Sequence, residues 1–225
     1  MSEAPGIRLE SVSKRYETPA GAVQAVEDID LEVEAGASLA VTGPSGCGKS
    51  TLLGLIAGLE PPSAGRVSVA GREISALPER ERVSLRRDGL GLVFQSDNLL
   101  PFLTAVENVR LQLAMRGEPD GYQRCADLLV ELGLEEELDK LPDQLSGGQR
   151  QRVAVAGALI HEPGVILADE PTGSLDTDNS TAVIELLLAA QRRSGASMVV
   201  VTHDPSVAAR LDRTVSLRDG RLAGA

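Results

Sequence analysis

Gly43-Pro44-Ser45-Gly46-Cys47-Gly48-Lys49-Ser50 reads G-x-x-x-x-G-K-S, a spacing suited to holding phosphate. The glycines let the backbone curl so that successive N–H groups face one anion, and a helix starting at Lys49 adds its positive end. Lys49 then serves the β- and γ-phosphates, the Ser50 hydroxyl is a ligand for Mg²⁺, and Thr51 follows in the first helical turn. A second chemical pair stands far downstream. Val165–Asp169 is an apolar run that ends in a carboxylate, with Glu170 directly after it. Asp169 suits the outer shell of the metal. Glu170 suits a base that polarises an attacking water, a contribution of roughly 10²–10⁴-fold in rate. An Asp-Glu pair alone reads as an exposed turn; its pairing with the phosphate loop gives it chemical meaning. Cys47, next to a helix start and Lys49, is expected to carry a reactive thiol.

These groups need elements to aim them. Ser38–Thr42 (SLAVT), Gly164–Asp169 (GVILAD) and Ser197–Thr202 (SMVVVT) read as buried strands. Ile29, Leu31 and Val33 alternate with acids, as in a half-buried strand. Leu52, Leu55, Ile56 and Leu59 recur at helical spacing, with Gly58 and Pro61-Pro62 to end the helix. Val183, Leu186, Leu187 and Ala190 repeat that spacing. Strands alternating with helices predict an α/β fold with a parallel sheet. Ligands of such sheets lie beyond the carboxyl ends of the strands, so Gly43 onward, Asp169-Glu170 and His203 should converge. Residues 97–151 differ in character: a loop with Pro101 is followed by Cys125, Leu128, Leu129 and Leu132 at helical spacing. Asp219-Gly220 reads as a hairpin turn. We expect one domain over 1–225, its nucleotide-binding core from 1–95 and 155–225, with 96–154 as a helical subdomain.

Leu145-Ser146-Gly147-Gly148-Gln149 resembles the signature sequence of ABC ATPases. The order phosphate loop, LSGGQ, LADE and then His203 is similar to that family from about Ile7 to Leu222. The resemblance implies a P-loop NTPase (RecA-like) core with a small antiparallel β subdomain and a helical signature subdomain. It implies ATP and Mg²⁺ as cofactors, and a homodimer with two shared ATP sites. Ser146, Gly147, Gly148 and Gln149 would then face the γ-phosphate of ATP held by the other subunit. Gln95, in LVFQ, would sense Mg²⁺ and a membrane partner. Asp176, in Gly173-Ser174-Leu175-Asp176, would cross to the opposite subunit. His203, in VTHD, would bond the γ-phosphate and orient Glu170. Tyr16, in KRYET, resembles the aromatic that stacks on adenine, with a packed core tyrosine as the alternative.

Phe94–Val109 and ADEPTGSLD (168–176) are similar to the ATPases of the macrolide-export and lipoprotein-release group, and to the related cell-division ATPase. That implies an integral-membrane permease partner with an extracytoplasmic domain, docked near Gln95 to Glu107, where Leu99, Leu100, Phe102 and Leu103 form an apolar cluster. A nutrient-importer ATPase is the alternative within transport, although the C-terminal extension common there is not seen. A non-transport ABC ATPase is the alternative outside it. Two positions depart from the group's habit: Ser174 stands where Asn is usual, and Gly157 where Arg is usual. A glycine within a helix costs about 0.5–1 kcal/mol relative to Ala.

Composition narrows the partners. The net charge is -11 with no long basic tract, which argues against binding to nucleic acid or directly to anionic lipid. Residues 1–7 show no leader pattern, and no apolar stretch approaches the roughly 20 residues that span a bilayer. The two cysteines form no metal set or disulfide framework. The expected location is cytoplasmic, peripheral on the inner face of the membrane through the permease. Glu135-Glu136-Glu137 reads as a solvated helix end, and Arg80, Arg82, Arg86 and Arg87 as a surface patch.

Overall fold

The computed structural model describes residues 6–19, 21–173, 175 and 177–223. Ser174 and Asp176, to which the resemblance gives importance, lie outside the described residues. In chain order come β1 (Ile7–Thr18), β2 (Gly21–Val33), β3 (Ser38–Thr42), α1 (Lys49–Ile56), β4 (Ala64–Val69), β5 (Arg72–Glu73), α2 (Glu79–Gly89) and β6 (Leu90–Val93). Helices α3 (Ala105–Ala114), α4 (Tyr122–Glu131) and α5 (Gly147–Leu159) follow. The chain continues through β7 (Val165–Asp169), α6 (Thr177–Ser194), β8 (Ser197–Val201), α7 (Pro205–Ala208), β9 (Arg213–Arg218) and β10 (Arg221–Ala223).

The larger sheet has the order β10-β9-β3-β8-β7-β6. Its five strands from β9 to β6 are parallel, and β10 closes one edge as a hairpin. Successive side chains of a strand point to opposite faces, and both faces are covered here. Leu39, Val41, Leu167, Val199 and Val201 pack toward α1 and the second sheet. Ala40, Ile166, Ala168, Met198 and Val200 pack toward α6 and α7. That double burial is why the strands read as unbroken apolar runs. The second sheet, β2-β1-β4-β5, is antiparallel, and Ile29, Leu31 and Val33 are buried in it as the alternation predicts.

Helices α3, α4 and α5 close a third core around Val109, Cys125, Leu129 and Val153. Helix α5 serves two cores. Val153, Ala156 and Ile160, at its end, face the helices, whereas Val155, Ala158 and Leu159 join the sheet-side core. The expected boundary at residue 154 therefore falls inside one continuous helix.

Three local readings need correction or detail. Leu59 is outside α1 and half exposed: Gly58 turns left-handed (φ 63), Gly58 N donates to Leu55 O, and Leu59 N donates back to Gly54 O, the closing pattern of a helix C-terminus. The acidic run is a short 3-10 turn whose last residue, Glu137, is buried rather than solvated. The arginine patch is largely self-neutralised, since Arg82 and Arg86 pair with Glu79 and Arg87 with Asp88. Asp219-Gly220 is the hairpin turn expected, with φ of 47 and 75 at its two central residues, the type I′ signature. Among the described residues no helix is long and apolar enough to cross a membrane.

Candidate active site

The carboxyl ends of β3, β8, β7 and β6 lie side by side. They deliver Gly43, Thr202-His203, Asp169-Glu170 and Phe94-Gln95 to one edge of the sheet. A single cavity is lined there by Gly43, Lys49, Ser50, Gln95, Asp169, Glu170 and His203. The convergence expected from three strands is present, and β6 adds a fourth.

Steric demand explains the glycines of the loop. A Cβ on Gly43 would sit 2.1 Å from the Leu217 carbonyl oxygen, and one on Gly48 would sit 2.2 Å from the Ala25 carbonyl oxygen. Gly48 also holds φ 103 as the residue that opens α1. The hairpin turn braces the loop from behind: Gly220 N donates to Cys47 O (3.1 Å), and Gly220 O accepts from Glu27 N (2.8 Å). Lys49 Nζ donates to the Gly43 and Pro44 carbonyls, each at 2.9 Å, so the ammonium sits within the curl of the loop. Cys47 is 6% exposed and packs in the core. Its backbone serves the loop, and the reactive thiol expected from sequence is overturned by burial.

The carboxylates are held differently. Burial pushes the Asp169 carboxyl above its ordinary range; a bond from the Ser50 hydroxyl opposes this, Glu170 adds to it, and Lys49 opposes it. Ser50, Gln95 and Asp169 offer a hydroxyl, an amide oxygen and a carboxylate to the same cavity. An all-oxygen set with one carboxylate fits Mg²⁺, which keeps waters and takes substrate phosphates as its other ligands. Among the described residues no cluster of three His, Cys, Asp or Glu offers an all-protein cage. Glu170 has φ 46, a conformation that costs on the order of 1–3 kcal/mol in a non-glycine residue. Its N–H donates to Val201 O at 2.9 Å, which holds the kink. Its Oε2 accepts from His203 Nδ1 at 2.9 Å and from His203 N at 3.4 Å. The Glu170 side chain is 15% exposed and that of His203 71%, so the ring extends from a nearly buried carboxylate into the cavity.

Tyr16 is not among the residues lining this cavity. Its hydroxyl bonds Glu60, and Lys14 Nζ lies 5.1 Å from its ring centroid. Its cross-strand partner Val23, with Gln24 and Ala25, lines the cavity instead. Nothing in the sequence pattern marked those three.

The signature residues stand apart from the phosphate loop of their own chain. Ser146 caps α5 in a reciprocal capping box with Gln149. A Cβ on Gly148 would meet Asn179 Oδ1 at 2.5 Å. Of the four, Gly147 alone borders a cavity shared with Gln95 and Asp169. Three supports of this region were missed in the sequence. Arg150 Nε donates to Asp97 Oδ2 (2.7 Å) and Arg150 Nη1 to Leu145 O (2.8 Å). Buried Gln151 donates to Phe94 O (3.2 Å), next to Gln95. Buried Asn108 donates to the Leu100, Leu103 and Thr104 carbonyls and accepts from Leu100 N. That bonding fixes the loop of the apolar cluster. Leu99 packs on the helical core, Leu100 and Leu103 are half-buried, and Phe102 is 72% exposed. Gly157 is buried in α5 and lines a cavity with Gln112, whose Cγ lies 3.7 Å from where a Cβ would stand, an ordinary contact.

The chain is similar to known proteins over nearly its whole length. The ABC transporter family model matches residues 26–173. A lipoprotein-releasing system ATP-binding protein, LolD, from Xanthomonas campestris pv. campestris is 44% identical over 218 residues, 96% of this chain and 91% of that protein. LolD of Gluconobacter oxydans is 43% identical over 221 residues, 97% and 96% of the two chains. The dimeric structure of the ATP-binding cassette MJ0796 bound to ADP and Pi is similar with a TM-score of 0.90 at 38% identity over 97% of each chain. The resemblance read from LSGGQ and the P-loop NTPase fold are both borne out. The chain belongs to the ABC transporter family and is its ATP-binding, ATP-hydrolysing subunit.

Proposed function

We propose that two copies of the chain enclose two ATP molecules with Mg²⁺, and that hydrolysis drives an integral-membrane permease that carries an extracytoplasmic domain. The Glu170–His203 bond, formed in the cavity that also holds Lys49 and the Ser50–Asp169 pair, carries this reading. The loop N–H groups bind the phosphates, and Lys49 shifts its donors from the Gly43 and Pro44 carbonyls to phosphate oxygens. Ser50, Gln95 and Asp169 would hold Mg²⁺, which supplies positive charge to the phosphate oxygens. Glu170 takes a proton from water as the water oxygen attacks the γ-phosphorus and the bond to the ADP oxygen breaks. His203 holds that carboxylate in place and reaches toward the same phosphate. Ser146, Gly147 and Gly148 act on the nucleotide of the other copy, and the adenine is received at the cavity wall formed by Val23, whose cross-strand partner is Tyr16. Both amide atoms of Gln149 are bonded within the chain, which gives it a scaffold role in place of the phosphate contact the resemblance implies.

The relatives are named for a lipoprotein-releasing system, which supports release of a lipoprotein as the work this subunit powers. Contact with the bilayer then runs through the permease, with the rigid loop around Phe102 as the docking surface. Glu170→Gln tests the centre of this reading. The amide keeps the size of the side chain but removes the base, so size-exclusion chromatography with ATP and Mg²⁺ should show a trapped dimer with hydrolysis lost. A mutant that stays monomeric while hydrolysing ATP overturns it.

A further inference from the structure

The acidic turn before the signature sends one carboxylate inward. Glu135 and Glu136 are exposed, whereas Glu137 is 8% exposed. A buried carboxylate is costly unless it is paired and hydrogen-bonded, so its partners matter. Glu137 Oε1 accepts from Gln149 Nε2 at 3.0 Å and from Lys140 Nζ at 3.2 Å. The other end of the Gln149 amide, Oε1, accepts from Ser146 N at 2.7 Å, and Ser146 Oγ accepts from Gln149 N at 3.2 Å. A carboxylate only accepts and a backbone N–H only donates. The Gln149 amide therefore satisfies both neighbours in one orientation and in no other. Ser146 Oγ, used as an acceptor by its own helix, keeps its proton for an outside acceptor.

The backbone beneath Glu137 is fixed as well. Glu137 N donates to Leu134 O and Lys140 N to Glu137 O, while Ala105 N and Val106 N of α3 donate to Lys140 O and Leu138 O. We propose that Glu137 is a positioning residue for the signature turn: through Gln149 it aims the Ser146 hydroxyl and the first N–H groups of α5 at the γ-phosphate held by the other copy. This rests on the shared-site reading above.

Covalently linked dimers test it. Lys49→Ala is combined with Glu137→Leu, either in the same half or in opposite halves. Placed in opposite halves, the two changes leave one composite site intact. Placed in the same half, they leave none, and ATP hydrolysis should fall about tenfold below the opposite arrangement, the scale of a charge-assisted hydrogen bond. Glu137→Gln keeps an oxygen acceptor for Gln149 Nε2 and should restore most of the rate. Equal rates in the two arrangements, or no rescue by Glu137→Gln, overturn the proposal. Ser146→Arg, placed the same two ways, separates the failures. If it also shows no dependence on arrangement, the shared site itself is wrong; if it alone shows one, only the role of Glu137 is wrong. Should Glu137→Leu not fold, Gln149→Leu cuts the same link from its other end and is read in the same two arrangements.

Discussion

The phosphate loop and the signature turn both present backbone N–H groups at a helix start, yet they are built on opposite principles. The phosphate loop is fixed by backbone. Gly43 and Gly48 press against the carbonyls of Leu217 and Ala25, and the hairpin turn ties Cys47 to β2. The signature turn is fixed by side chains: Ser146 with Gln149, Gln149 with Glu137, Arg150 with Asp97. Backbone contacts against a packed sheet leave little freedom. Side-chain networks also fix a geometry, but only while every member stays satisfied. A loop that binds its own nucleotide gains from the first. In the proposed shared site, the signature turn meets a nucleotide brought by another chain and is set by the second.

The largest expected effect follows from that contrast. Gly48→Ala sets a methyl against the Ala25 carbonyl oxygen and strains φ 103, a cost on the order of 3 kcal/mol. Calorimetric ATP affinity of the single chain should fall about a hundredfold. Gly147→Ala meets its nearest atom, Arg150 Nη2, only at 3.9 Å. It should leave ATP affinity of the single chain unchanged and weaken ATP-driven dimerisation in the Glu170→Gln background. Similar losses of single-chain affinity in both would break the distinction.

A smaller effect is expected on the helical side, where Asn108 holds the loop that exposes Phe102. A rigid, exposed aromatic is the kind of residue that anchors an interface. Phe102→Asp should reduce co-purification with the permease about thirtyfold, near 2 kcal/mol, with the basal ATPase rate kept. Normal co-purification would place the interface elsewhere.

The same contrast governs what the sequence reveals. Backbone-made features are short-range, so Gly43–Ser50, the strands before Asp169 and His203, and the Asp219-Gly220 turn were legible. Strand β6 was not. It has four residues, one of them Gly91, where a Cβ would lie 2.5 Å from Ala158 O; close packing on α5 decides that residue, and period-two alternation does not. Side-chain supports were invisible for a different reason. Asp97 and Arg150 are 53 residues apart, and Glu137 sits in a run of three identical acids of which the fold buries one. Cys47 misled because a motif position fixes its backbone but not where its thiol points.

The smallest effect concerns acid stability, and the two histidines separate it cleanly. His203 extends into the active cavity, whereas His161 follows the end of α5, with Nε2 donating to Leu90 O at 3.1 Å. Its Nδ1 is buried without a partner, so a second proton there would find no acceptor. Burial, with the charge of Arg116 adding to it, lowers the His161 pKa to about 4. An unfolded chain titrates this ring near 6.5. Between those values the unfolded state binds the extra proton and the folded state does not, so stability falls as pH drops through 6.5 toward 4. At pH 5 the loss relative to neutral pH is about 2 kcal/mol. His161→Gln keeps a donor for Leu90 O and removes the titration. Urea midpoints at pH 7.5 and pH 5 should then fall less in His161→Gln than in the parent chain. His203 is present in both proteins, so its contribution cancels in that difference. Equal slopes in the two proteins would mean that the ring is not held neutral in the folded state.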